Sequence, residues 1–87
     1  MSNEINRIKW KCRRGMREID LLLREFSKNS IKNLSNNDLS LFDEILDYDD
    51  QKLYDFIFKN HPIGNKDHES FIIKNLKSLT LYFFSFW

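Results

Sequence analysis

Apolar positions recur along the chain at three- and four-residue spacing, and this periodicity predicts helices. Ile5, Ile8 and Cys12 mark a first helix over about residues 4–13, and Gly15 interrupts it. A second helix starts there and carries Met16, Ile19, Leu23 and Phe26 on one face, fading at Lys28-Asn29-Ser30. Ser35 is placed to cap a third helix, with Asp38 three residues on to complete a capping box and Leu39, Phe42, Ile45 and Leu46 as its apolar face. Asp49 or Asp50 caps a fourth, bearing Leu53, Phe56 and Ile57. The stretch His61-Pro62-Ile63-Gly64-Asn65 breaks the pattern. A fifth helix begins near Lys66-Asp67 and shows Phe71, Ile72, Leu76 and Leu79. Short links between these segments favour antiparallel neighbours, so the expected fold is all-α, a compact five-helix bundle.

Composition supports one domain over residues 1–87. The chain has 87 residues, 41% of them hydrophobic, with two Gly, one Pro, and neither Ala nor Val. That is enough apolar surface for a modest core and too much for disorder. A single cysteine, Cys12, excludes a disulfide framework, and with only His61 and His68 beside it no zinc cage is expected. Two histidines at this spacing suit an exposed loop. Cys12, in a basic stretch, is a candidate for a lowered thiol pKa, although a small buried residue is the expected reading.

The N-terminus lacks the apolar core of a secretory signal, which argues for a cytoplasmic protein. Seven of the last nine residues, 79–87, are apolar. The charge-free run from Ser78 is ten residues long, about half of what a membrane span needs. We therefore expect this aromatic tail to be buried, within the chain or in a homodimer, and not to be an anchor.

Charge is informative by segment. The net charge is +1, but residues 1–17 hold six cations against Glu4, and residues 34–55 hold seven acids against Lys52. Such polarity steers a partner or is neutralised within the bundle. The near-zero total and the acidic belt argue against nucleic acid, despite Trp10 among Arg and Lys, a combination that suits single-strand stacking. No nucleophile–base pair, phosphate-cradling loop or metal ligand set is visible, so the chain is not expected to be an enzyme.

The densest segment is Trp10-Lys11-Cys12-Arg13-Arg14-Gly15-Met16-Arg17-Glu18-Ile19-Asp20. On a continuous helix Arg14 and Glu18 share a face, which allows an ordinary surface ion pair. The alternative is a recognition patch, a fork of donors and a carboxylate flanking bare backbone. This segment, with Leu46-Asp47-Tyr48-Asp49-Asp50 downstream, resembles the signature of the SdhE-type FAD assembly factors, whose mitochondrial relatives share the Arg-Gly-x-x-Glu core. The resemblance covers roughly residues 5–77. It departs at Phe56, where the family often has tryptophan, and at Gln51, where it often has proline.

The resemblance implies a five-helix bundle that binds the flavoprotein subunit of succinate dehydrogenase, and in some bacteria fumarate reductase, and promotes covalent attachment of FAD. The factor holds no flavin firmly. The histidine that becomes linked belongs to the client, and the factor supplies proximity and orientation. Carried over to this chain, the partner-binding residues are Arg14, Gly15 and Glu18, with Arg17 and Asp20 as weaker candidates. Arg14 would donate to client carboxylates or carbonyls, Gly15 would let backbone meet the partner, and Trp10 would pack under the first turn. Ser35, Asp49 and Asp50 are structural caps, and no catalytic or metal residue is implied. Members are also described as CptB antitoxins, and a small antitoxin or a nucleic-acid binder using the basic N-terminal helix is the alternative.

Overall fold

The computed structural model describes residues 2–83, and among these residues it contains helices and no strands. Helix α1 is Ser2–Lys11, α2 is Arg17–Ser30, α3 is Asn36–Ile45 and α4 is Asp50–Lys59. The last helical rod runs without a break as α5 (Lys66–Phe71), a π-helical stretch Ile72–Lys77, and α6 (Ser78–Phe83). A short 3₁₀ turn, Ile31–Asn33, follows α2. The expected five-helix, all-α architecture is the observed one.

Each helix buries the stripe that its spacing marks out. Ile8 and Cys12 face inward at the end of α1, as do Ile19, Leu22, Leu23 and Phe26 of α2. Phe42, Ile45 and Leu46 come from α3 and its end, Leu53, Phe56 and Ile57 from α4, and Phe71, Ile72 and Leu76 from the last rod. α5 packs on α3, α2 packs on α4, and the π-helical stretch touches both α2 and α4. At the centre, Phe26 meets Phe42 and Phe71 edge-on with ring centroids 5.0 and 5.8 Å apart, while Phe42 and Phe71 lie stacked at 5.7 Å. Both arrangements suit the ring quadrupoles.

Caps fix the register. The Ser35 hydroxyl accepts from the Asp38 N–H at 3.1 Å, which is the first half of the expected capping box. Asp49 caps α4 by accepting from the Lys52 N–H at 2.8 Å. Asp50 is not a cap: it is the first helical residue of α4, and its carboxylate turns elsewhere. Asn60 ends α4 in the left-handed conformation, and Gly64, at φ 97°, occupies a backbone region that side chains avoid. The Glu69 carboxylate ties down that loop, accepting from the N–H groups of Ile63 and Gly64.

Three further expectations need correction. α1 stops at Lys11, two residues early, because the Cys12 N–H is shared between Ile8 and Lys9 and the chain turns there. His68 is buried, not a loop residue, because both ring nitrogens find partners inside the bundle. Cys12 is buried, as expected, and burial pushes its thiol up to about 11, so the basic neighbours do not activate it. Trp10 does not pack under the turn. It is 66% exposed, with the Arg13 guanidinium 5.1 Å from its ring centroid. Of the aromatic tail, Leu79 packs half-buried against the core. The expectation of burial or dimerisation through residues 84–87 lies outside the described residues.

The aromatic centre sets a stability test. Phe42→Ala should cost about 3–5 kcal/mol, a large part of the ~5–15 kcal/mol available to a domain. Urea denaturation should show a strongly lowered midpoint. Ile73→Ser, at a 53% exposed position of the π-helical stretch, should stay within ~0.5 kcal/mol of the parent chain.

Candidate functional site

Residues 12–16 connect α1 to α2 and carry the Arg14-Gly15 half of the motif. Arg14 lies before α2, so it does not share a helix face with Glu18, and the surface ion pair between them is not formed. Instead its guanidinium turns into the α3–α4 junction and is only 12% exposed. Nε donates to Asp50 Oδ1 at 2.6 Å. Nη1 donates to the carbonyls of Leu46 at 2.8 Å and Lys11 at 3.2 Å, and Nη2 donates to the carbonyl of Tyr48. Leu46 is the C-cap of α3, so Arg14 satisfies a helix-end carbonyl at the negative end of the helix dipole.

The backbone is held as firmly as the side chain. The Arg14 N–H donates to Asp20 Oδ1 at 2.8 Å, and the Met16 N–H donates to Asp50 Oδ2 at 3.1 Å. Gly15 thus lies between two anchored residues. Burial pushes the Asp50 carboxyl up, but Arg14 together with the neighbouring backbone N–H groups outweighs it and holds the group below the usual carboxylate range.

The α3–α4 junction has its own support. Tyr48 OH lies 2.6 Å from Nδ1 of His68, and Nε2 of His68 lies 2.9 Å from Glu44 Oε1. Burial, then Glu69 and Glu44, raise the Tyr48 hydroxyl pKa and keep it protonated. The Glu44 carboxylate can only accept, so in a neutral ring Nε2–H donates to it and Nδ1 accepts from the Tyr48 hydroxyl.

The five sequence candidates fall into two sets. Arg14 and Asp20 spend their hydrogen bonds inside the chain, Asp20 also lying 3.6 Å from Arg24. In the chain by itself the Arg14 donors hold the loop. Gly15 and Arg17 are exposed, and Glu18 is half-buried. Among the described residues, neither Arg17 nor Glu18 takes part in a side-chain hydrogen bond or ion pair. Among the described residues nothing demands glycine at position 15. It lacks a positive φ, and an added Cβ would meet only Asp50 Oδ2, at an ordinary 3.8 Å.

The remaining N-terminal cations divide by side. Arg7 forms a two-point pair with Asp43 at 2.9 and 3.2 Å, and Lys11 bridges Asp43 at 2.7 Å and Asp47 at 2.8 Å. The Arg7 hydrogen bond lowers the Asp43 pKa despite partial burial. Residues 7, 11 and 14 therefore face 43, 47 and 50, with the same spacing on both strings. The role of Arg14 and the pairing of the two motifs escaped the sequence reading, although the co-occurrence of the motifs was a signal. Among the described residues, no cluster of His, Cys, Asp or Glu could hold a metal ion, and no helix is long and apolar enough to cross a membrane.

Comparison with known proteins adds to this geometry. A family model described as flavinator of succinate dehydrogenase matches residues 6–80. The chain is similar to the FAD assembly factor SdhE of Coxiella burnetii (strain RSA 493 / Nine Mile phase I), 35% identical over 74 residues, 85% of this chain and 89% of that protein. It is 38% identical over 74 residues to the FAD assembly factor SdhE of Wigglesworthia glossinidia brevipalpis, covering 85% and 87% of the two chains. It is 49% identical over 53 residues to that of Legionella pneumophila (strain Paris), covering 61% and 67%. No solved structure matches.

The two arginines of the motif should behave differently. Arg14→Ala should cost about 3 kcal/mol by stranding Asp50 and three carbonyls, lowering the midpoint of a circular-dichroism melt by more than ~10 °C. Arg17→Ala should leave the midpoint within the range of ordinary surface changes, ~0.5 kcal/mol. Asp50 and Asp43 both have native pKa values below their unfolded ones. Their stabilisation is therefore present above the unfolded carboxyl pKa of ~3.9 and is lost as pH falls through the native value. Urea titrations from pH 6 down to pH 2 should show that loss in the parent chain and a flatter profile in Asp50→Asn.

Proposed function

The chain belongs to the flavinator-of-succinate-dehydrogenase family, and we propose that it promotes covalent attachment of FAD to the flavoprotein subunit of succinate dehydrogenase by docking on that subunit. The observation that carries the reading is Gly15, exposed on a loop clamped from both sides although nothing among the described residues requires a glycine there. Glycine in a fixed segment costs about 0.5–1 kcal/mol in lost chain entropy. A second surface coming within van der Waals contact of the backbone accounts for that cost.

Arg17 and Glu18 flank this bare patch with one cation and one carboxylate, both free of internal partners among the described residues. Arg17 offers a donor fork to client carboxylates or carbonyls, and Glu18 accepts hydrogen bonds near the flavin site. Arg14 and Asp20 hold the loop in the docking geometry through their internal bonds. The client contributes the histidine that becomes linked and the bound flavin. The factor contributes orientation: it holds the client so that the two meet in a reactive arrangement. On this reading the protein works in the cytoplasm, carries no cofactor of its own and has no catalytic residue. Fumarate reductase, whose flavoprotein presents the same chemical problem, is a second client.

The test mixes the chain with apo flavoprotein subunit from the same cell and FAD, then reads flavin fluorescence in a denaturing gel, which detects only covalently held flavin. The wild-type chain should produce a clear rise. Gly15→Arg should abolish co-elution with the client, and Glu18→Ala should reduce the fluorescent band several-fold, both with helical content intact. Full flavinylation by both variants would refute the site.

A further inference from the structure

The cations that pair with the acidic belt occupy one side of α1, and the other side faces a groove. This groove, about 620 Å³, lies between α1 and α2 and is lined by Lys9, Trp10, Arg13, Arg24, Lys28 and Lys32. Its floor is neutral: Cys12 is buried and keeps its proton, with Ser27 beside it. Among the described residues no carboxylate lines it. Of the five cations, Arg24 leans toward Asp20 at 3.6 Å. Lys9, Arg13, Lys28 and Lys32 are exposed and form no ion pair among the described residues. In a chain of net charge +1, such a concentration on one groove is local, produced by the way Asp43, Asp47 and Asp50 consume Arg7, Lys11 and Arg14 on the opposite side.

We propose that this groove takes an acidic segment of a partner protein. The inference rests on the docking reading above, in which that partner is the client flavoprotein. Arg13, two residues before Gly15 in the chain, is part of the groove wall. Two arginine forks match carboxylates bidentately, and the lysines supply charge along the rest of the walls. Trp10 gives the segment an apolar surface at one end, its indole already braced by Arg13. A single-stranded nucleic acid fits less well. It needs successive aromatic platforms as well as cations, and Trp10 is the one aromatic side chain lining the groove.

The experiment uses the full chain with Trp87→Phe, which leaves Trp10 as the reporting indole, alongside the same chain carrying Lys28→Glu and Lys32→Glu. Both lysines are exposed, so circular dichroism should show the fold unchanged. A Glu/Asp-rich synthetic peptide should change Trp10 fluorescence in the first chain. In the charge-reversed chain the apparent affinity should fall at least ~10-fold, the gap narrowing as salt rises from 0.05 to 0.3 M. The same loss should appear in binding to apo flavoprotein. Equal binding of apo flavoprotein by both chains would overturn the groove while leaving the docking reading intact. Failure of the parent chain to bind apo flavoprotein, with the peptide response and its loss on charge reversal preserved, would overturn the docking reading and keep the groove as an acidic-segment site. Tighter binding of oligouridylate than of the peptide would overturn the proposal in favour of single-stranded nucleic acid.

Discussion

The structure depends on one largely covered guanidinium. Arg14 sits between the carboxylate of Asp50 at the start of α4 and the carbonyl at the end of α3, so three helices meet on a single planar fork. Removing a cation from water costs several kcal/mol unless its donors are satisfied, and here four donor contacts converge on it. The two helix ends make the site electrostatically favourable for both charges, because a cation suits a C-terminus and a carboxylate suits an N-terminus. Asp50 closes the arrangement by turning its second oxygen to the Met16 N–H, which fixes where α2 can begin.

From this pairing follows the distribution of charge over the surface. Cations at 7, 11 and 14 meet acids at 43, 47 and 50, and both sets have the spacing of one helix face. The exposed pairs at the Arg7 end contribute little individually, ~0.2–1 kcal/mol each, but they decide which side of α1 faces α3. Once that side is fixed, Lys9, Trp10 and Arg13 are left on the other. The basic end and the acidic belt noticed in the sequence are therefore a self-neutralising seam with a basic remainder. The two expectations, internal complementarity and a surface for a partner, describe different residues of the same segment.

How much of this was legible in the sequence depended on whether the signal was local. The burial stripes of all five helices were, since Ile19, Leu23 and Phe26 or Leu53, Phe56 and Ile57 announce themselves at helical spacing. The caps at Ser35 and Asp49 were local as well. The π-helical stretch Ile72–Lys77 was not, because the same apolar spacing serves an α-helix and the extra residue is decided by packing against α2 and α4. Trp10 was misplaced because size and hydrophobicity predict burial, whereas the register of the Arg7–Lys11–Arg14 seam points it outward. His68 was misplaced for the converse reason: its buried ring is satisfied by Tyr48 and Glu44, which lie 20 and 24 positions away in sequence. Of the candidate site, the segment was identified, but the division between residues that hold the loop and residues that face outward required the long-range contacts.

That division bears on what the docking proposed above would ask of this loop. A flexible loop that meets a partner must lose its freedom on binding, at a cost of roughly 1–2 kcal/mol per ordered residue backbone. Gly15, the residue type with the most freedom to lose, is the one that faces outward here. Anchoring the N–H groups of Arg14 and Met16 on either side places that loss in the folding of the bundle, where the core compensates for it. Under the proposed docking, binding would proceed from a preorganised surface, leaving interaction energy for orienting the client. The largely covered fork of Arg14 and the bare backbone of Gly15 are thus two parts of one device: the first makes the loop rigid enough for the second to be useful.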